Sequence, residues 1–211
     1  MAVITVSRQY ASGGSDIARR VAERLGWALI DNEFVDRVAE LAGLAPEEVE
    51  AREERVPGLM ERLARTLATS SPEVFIPTGE PAAALTPQER IVAVTERVIR
   101  EAAQHGDVVM VGRGAQAYLG ERKDVLHVFT VAPRRDRIDA AIERLGQTRA
   151  DAQHCVDDVD SGRRAYVKTH YKRNWDDPAN YDLVLNTAEL GYAGSADLIV
   201  AAAGTKGLTR P

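Results

Sequence analysis

Apolar side chains gather in five short runs, at residues 2–6, 27–30, 108–111, 127–131 and 182–185. None alternates strongly with polar positions, as expected of strands covered on both faces in a parallel sheet. Helical spacing fills the intervals. Ile17, Val21 and Leu25 recur every fourth residue, Gly26 stops the segment and Trp27 opens the next run, which predicts a βαβ unit. Thr86, Pro87 and Glu89 read as a capping box for a helix carrying Ile91, Val94, Val98 and Ala102 and ended by Gly106. Ile138, Ala141, Ile142 and Leu145, ended by Gly146, predict another after the fourth run. Strand and helix alternate, so the expected class is α/β with a parallel sheet.

Two segments break the alternation. Residues 32–86 are too long for one crossover: Asn32 is placed to cap a helix reaching Leu41 or Ala42, Pro57 to start one with Leu59, Met60, Leu63 and Leu67, and residues 70–87 are proline-rich and loop-like. This predicts a helical insertion. Residues 148–179 are charged and poor in apolar periodicity, which predicts a mobile cover and not core. Everything else fits one domain, for which 211 residues and 45% hydrophobic positions suffice.

Charge and cysteine content narrow the function. Lys and Arg number 27 against 32 Asp and Glu, a net charge of −5, so general attraction to DNA, RNA or an anionic membrane is not expected, and an anionic ligand must meet locally grouped arginines. The single Cys155 excludes an internal disulfide and a cysteine-built zinc site. No run approaches the roughly 18 apolar residues of a membrane span. The expectation is a soluble, cytoplasmic protein.

The first strand runs into Ser7-Arg8-Gln9-Tyr10-Ala11-Ser12-Gly13-Gly14-Ser15-Asp16, and a helix follows at once. A glycine turn here aims main-chain N–H groups at a position where a phosphate can sit, which makes Ser12, Gly13, Gly14, Ser15 and Asp16 candidate phosphate ligands. The same turn also serves simply to join strand to helix. The phosphate-loop pattern G-x-x-x-x-G-K-[ST] is incomplete, without its lysine or its first glycine. Arg8 is the candidate for the missing charge, because a guanidinium can hold phosphate in a bidentate manner.

Residues 4–37 resemble the start of bacterial cytidylate kinases, and more closely the cytidylate kinase-like family, with its lysine-free Ser-Arg-x-Tyr-x-Ser-Gly-Gly loop. The similarity continues. Asp31 followed by Arg37 matches the element leading into the monophosphate site, and Gly112-Arg113-Gly114 resembles a Gly-Arg-Asp element with Gly114 in place of aspartate. Pro133-Arg134-Arg135-Asp136-Arg137 resembles an arginine-bearing turn, and Asp157 to Arg163 a lid motif. The resemblance implies a nucleoside monophosphate kinase fold: a five-stranded parallel sheet of order 2-3-1-4-5 with helices on both faces, residues 32–86 as the monophosphate-binding insertion and residues 148–179 as a lid.

It also implies ATP as donor, Mg²⁺, and CMP or dCMP as acceptor. Arg8, Arg113 and Arg163 become the catalytic candidates; Asp31, Arg37, Arg113, Asp160 and Arg163 the acceptor site; and Arg134, Arg137 and Arg164 the lid arginines that meet donor phosphates. Arg37, Arg113, Asp160 and Arg163 also suit solvated surface positions. Ser15 and Asp16 are the candidates for magnesium, although Asp16 also suits the positive end of a helix. Two other readings stay open: a nucleotide-binding protein without turnover, and a kinase of this fold for a non-nucleotide acceptor. His154 beside Cys155 lacks any partner spacing and carries no metal or nucleophile role. Tyr171 and Trp175 suit either stacking on a base or anchoring a loop.

Overall fold

The computed structural model describes residues 1–31 and 87–209, and it divides into two units, Met1–Leu29 with Gly106–Pro211, and Ile30–His105. The expected insertion, with Arg37 and the cap residue Thr86, lies outside the described residues.

The elements of the first unit follow the alternation of the sequence. They are β1 (Val3–Arg8), α1 (Gly14–Leu25), β2 (Ala28–Ile30, whose last residue opens the second unit), β3 (Val108–Val111), α3 (Ala115–Leu119), β4 (Val125–Val131), α4 (Arg134–Leu145), α5 (Arg149–Tyr171), β5 (Leu183–Asn186) and α6 (Thr187–Thr205). Among described residues the second unit contributes α2 (Pro87–His105). The strands form one sheet in the order β2-β3-β1-β4-β5, the order expected. β1 lies parallel to β3, with Val6 opposite Val111, and parallel to β4, with Arg8 opposite Thr130.

The three inner strands β1, β3 and β4 are buried on both faces, which is why they do not alternate. Val3, Ile4, Val6, Val109 and Val128 are fully buried. Ile17 and Val21 of α1 meet Ile4, Leu126 and Val128 in the main core, and Ala196, Ile199 and Ala203 of α6 complete it. Small residues on α6 let that helix approach closely. Gly26 and Gly146 end α1 and α4 in the left-handed conformation that a Cβ disfavours, as their places in the sequence predicted. On α2, Val98 and Ala102 are buried but Ile91 is exposed, so the inner face is turned toward Val92, Thr95 and Ile99. No helix among the described residues is long and apolar enough to cross a membrane.

One expectation is overturned. The charged segment expected to lack a packed face folds into the 23-residue helix α5, capped by Thr148, whose hydroxyl accepts from the Asp151 N–H. Ala152 and Val156 pack with Ile138 and Ala141 of α4, and Val167 packs with Phe129, Trp175 and Tyr181. Trp175 is therefore a buried anchor, set edge-on to Phe129 with ring centroids 5.0 Å apart.

Candidate active site

Ligands of open parallel sheets bind beyond the carboxyl ends of the strands, and the central strand here is β1. Its loop is anchored at several points. The Gln9 N–H donates to Thr130 O at 3.0 Å, and Gln9 Oε1 accepts from the Ala132 N–H at 3.1 Å. The Ser12 hydroxyl lies within bonding distance of Gln9 O, Thr130 O and Thr130 Oγ1, and the Thr187 hydroxyl donates to Ser12 O. Ser12 thus fixes the loop to β4 with its side chain. Ala11 and Gly13 take positive φ values of 58° and 78°.

Gly13 caps α1 without a side-chain hydrogen bond, and the first intrahelical bond runs from Ile17 N–H to Gly13 O. Helix geometry leaves the N–H groups of Gly14, Ser15 and Asp16 without an intrahelical acceptor, at the positive end of the helix. This start is suited to an anion. Tyr192 walls it on one side: a Cβ on Gly13 would lie 2.1 Å from Tyr192 Cζ. The Arg144 guanidinium stacks over that ring, 4.3 Å from its centroid. Tyr192 reaches this place because Gly191 breaks the helical backbone of α6 (φ 65°, ψ 170°). Beside the loop, a cleft of about 500 Å³ is lined by Gln9, Val131, Pro133, Arg164 and Asn186, among others.

Arg8 does not point along the loop. Its side chain runs past Gly14 to the turn after β3, where a Cβ on Gly112 would lie 1.7 Å from Arg8 Nη1. In that turn Gly112, Arg113 and Gly114 are consecutively left-handed, with φ of 69°, 51° and 71°. For Arg113 that conformation costs about 1–2 kcal/mol, and strain of this kind concentrates at functional sites. The turn is held by the Gly112 N–H donating to Val6 O at 3.1 Å and by Tyr171 packed against Gly114. Arg8 and Arg113 are thereby brought to neighbouring strand ends.

Asp160 and Arg163, expected at the acceptor site through the resemblance, sit on the phosphate loop. Asp160 is buried and accepts from the Tyr10 N–H at 2.8 Å, from Arg137 Nη1 at 2.6 Å and from Arg163 Nη1 at 3.3 Å. Arg163 Nη1 also donates to Arg8 O at 2.8 Å, and burial pulls this guanidinium below its usual pKa while Asp160 opposes the shift. Its oxygens are engaged by the Tyr10 N–H of the loop and by the guanidinium groups of Arg137 and Arg163. The physical reason is charge: the buried Arg137 and the partly buried Arg163 share this carboxylate as an internal counter-ion.

The arginines expected to meet donor phosphates are engaged as well. Arg137 is buried and bonds to Ala132 O, Tyr10 O and Asp160. Arg134 is exposed and holds Asp157 of α5 through two bonds, and Arg164 is exposed and paired with Asp176. Exposed pairs of this kind are weak in water and can exchange a carboxylate for a phosphate.

Ser15 is exposed, and Asp16 lies one residue later in the first turn of α1, with Oδ1 3.2 Å from Arg19 and Oδ2 4.0 Å from Arg144. One hydroxyl and one half-exposed carboxylate fit a magnesium ion that takes its other ligands from phosphates and water. Asp31 follows β2 and is partly buried. His154 pairs with Asp158 on the exposed side of α5, and among the described residues no group of three or more His, Cys, Asp or Glu could hold a metal alone. Sequence reasoning missed Tyr192, Arg144 and Thr130; Gly191 two residues from Glu189 in an otherwise helical stretch was the only available signal for the first.

Comparison with known proteins agrees with the fold. Residues 3–189 match the cytidylate kinase-like family. The fold is similar to that of an uncharacterized protein from Eubacterium ventriosum, 18% identical, with a TM-score of 0.70 over 97% of this chain and 99% of that one. It is also similar to shikimate kinase from Bacteroides thetaiotaomicron, 11% identical, with a TM-score of 0.51 over 96% and 98% of the two chains. At these identities the likeness is one of fold. A uronate isomerase of Corynebacterium glutamicum is 29% identical over 116 residues, 55% of this chain but only 22% of that protein, so the matched part spans about a fifth of that relative. With its match running from the first strand into the start of the last helix, the chain belongs to the cytidylate kinase-like family.

Proposed function

We propose that the protein transfers the γ-phosphoryl group of ATP to a nucleoside monophosphate, with CMP or dCMP as the acceptor. One observation carries the reading: in a chain of the cytidylate kinase-like family, a helix start with no side-chain cap follows the central strand of a parallel sheet, with Arg8 and Arg113 at adjoining strand ends. Phosphoryl transfer needs little else from a protein than positioning and charge.

In this reading the N–H groups of Gly14, Ser15 and Asp16 receive donor phosphate oxygens, and the cleft beside Gln9 and Asn186 accepts the rest of the donor. Arg113 orients the acceptor phosphate through its planar fork. Arg134 and Arg164 release their surface carboxylates to reach donor oxygens. Asp160, Arg137 and Arg163 hold the loop in shape. Ser15 and Asp16 would hold a magnesium ion, which would supply charge that neutralises the donor phosphates.

The test is coupled turnover with ATP and Mg²⁺ over a panel of nucleoside monophosphates and hydroxylated non-nucleotide acceptors, with nucleotide binding measured calorimetrically on the same sample. Preferred turnover of CMP or dCMP is expected. Nucleotide binding without transfer to any acceptor would replace the reading with that of a nucleotide-binding protein, and preference for a non-nucleotide would replace the acceptor.

A further inference from the structure

We infer that the cation of the phosphate loop has moved from the first turn of α1 to the end of β1, and that Arg8 and Gly14 are an interdependent pair in which only one position can carry a side chain. The role of the cation rests on the phosphoryl-transfer reading. The pairing rests on geometry alone.

Set in register with G-x-x-x-x-G-K-[ST], Gly13 takes the place of the second glycine and Ser15 that of the hydroxyl residue. Arg8 then stands where the pattern has its first glycine, and Gly14 where it has lysine. Glycine and cation have changed places.

The structure supplies the cause. A Cβ on Gly14 would lie 2.4 Å from Arg8 Cβ, 3.0 Å from Arg8 Cγ and 2.7 Å from Thr130 Oγ1. The first clash is with an atom one bond from the backbone, so no rotation of Arg8 relieves it. Any side chain at position 8 therefore demands glycine at 14, and a lysine at 14 demands glycine at 8.

The two glycines on its path also settle where the charge goes. Gly14 admits the stem of Arg8, and Gly112 admits its head, since a Cβ there would lie 1.7 Å from Nη1 and 2.7 Å from Cζ. β1 and β3 are direct neighbours, so the guanidinium is carried sideways from the loop to the turn that bears Arg113. A lysine on the helix reaches donor oxygens as a point charge. A planar fork laid between the two strand ends presents donors toward both, which suits it to bridge the transferring group and the acceptor phosphate.

The experiment is a double-mutant cycle with Arg8→Gly, Gly14→Ala and Gly14→Lys, read by urea unfolding and by turnover. Replacing glycine with alanine ordinarily stabilises a helix. Here Gly14→Ala is expected to lower the unfolding midpoint in the presence of Arg8, and Arg8→Gly to relieve at least half of that loss, the remainder belonging to Thr130. For the charge, Arg8→Gly is expected to weaken binding of inorganic tripolyphosphate at least tenfold. The combined Arg8→Gly and Gly14→Lys protein should then recover at least tenfold over Arg8→Gly in both binding and turnover.

A Gly14→Ala protein as stable as the wild type, or equally destabilised with and without the Arg8 side chain, overturns the pairing. Tripolyphosphate binding unchanged by Arg8→Gly overturns the relocated charge. Because unfolding and tripolyphosphate binding need no substrate, a coupled cycle in a protein that phosphorylates nothing keeps the pair and rejects the proposed function. An uncoupled cycle in an active kinase does the reverse.

Discussion

Arg137 holds the Asp160 carboxylate at 2.6 Å in a site where the two side chains keep only 9% and 2% of their exposure, joining α4 to α5 directly behind Tyr10 of the phosphate loop. Removing one partner of such a buried pair strands the other's charge, at a cost of about 3–5 kcal/mol. Asp160→Ala should lose that much in urea unfolding, leaving both Arg137 and Arg163 uncompensated. Replacing both partners with apolar residues, Arg137→Met with Asp160→Leu, should cost less than Asp160→Ala alone. A loss below about 1 kcal/mol for Asp160→Ala would show that the cluster is solvated in solution.

The strained turn after β3 separates function from stability. Arg113→Gly relieves a left-handed backbone and should stabilise the fold by about 1 kcal/mol, while weakening the acceptor monophosphate by roughly one to two orders of magnitude. Donor affinity should change far less. Unfolding curves and calorimetry with each nucleotide measure both effects, and an equal loss for the two nucleotides would remove Arg113 from the acceptor side.

Hydrogen exchange distinguishes a packed α5 from a loose cover. The turn from Val156 to Arg163 carries the buried contacts to α4 and to the loop, so its amides should be protected before any nucleotide is added. Asp160→Ala should raise exchange there and at Tyr10 together. Rapid exchange of this turn in the wild-type protein would restore the mobile cover.

His127 gives the fold an acid-sensitive point within the sheet, opposite Thr5 of β1. Its Nε2 lies 2.6 Å from Gly120 O, which can only accept, so Nε2 carries the proton and Nδ1 accepts from the Thr5 hydroxyl at 2.6 Å. Burial holds the imidazole below its usual pKa; Lys206 and Arg173 add to this, while Gly120 O and Asp182 oppose it. The unfolded chain takes up this proton near pH ~6.5 and the folded chain only at lower pH, so in that window the unfolded state binds more protons and stability rises with pH. The contribution is complete above pH ~6.5 and lost as pH falls toward the folded value. His127→Gln should flatten the fall in Tm between pH 7 and 5 relative to wild type; identical slopes would show that His127 does not contribute.

The sheet was legible because strands buried on both faces leave continuous apolar runs and helices leave glycine at their ends, as at Gly26 and Gly146. β4 begins two residues earlier than its run, since the run was counted from His127 although Val125 and Leu126 are equally buried. α5 was misjudged for a definite reason. Part of its inner face is the buried Asp160 and the partly buried Arg163, which pair with each other, Asp160 also with Arg137, and hydrophobic periodicity counts such residues as solvent-facing. Arg8 was legible as the loop's charge but not in its direction, which depends on Gly112, more than a hundred residues away in sequence.

The Gly191 break has a consequence for where this domain ends. The family match stops at residue 189, before Tyr192 walls the start of α1 and before Ala196, Ile199 and Ala203 close the core over Ile17 and Val21. A polypeptide cut at the homology boundary would retain every strand yet present an open apolar groove to solvent. The unit that folds is thus longer than the unit that sequence comparison recognises, and its last helix is as much a part of the wall around the start of α1 as the loop itself.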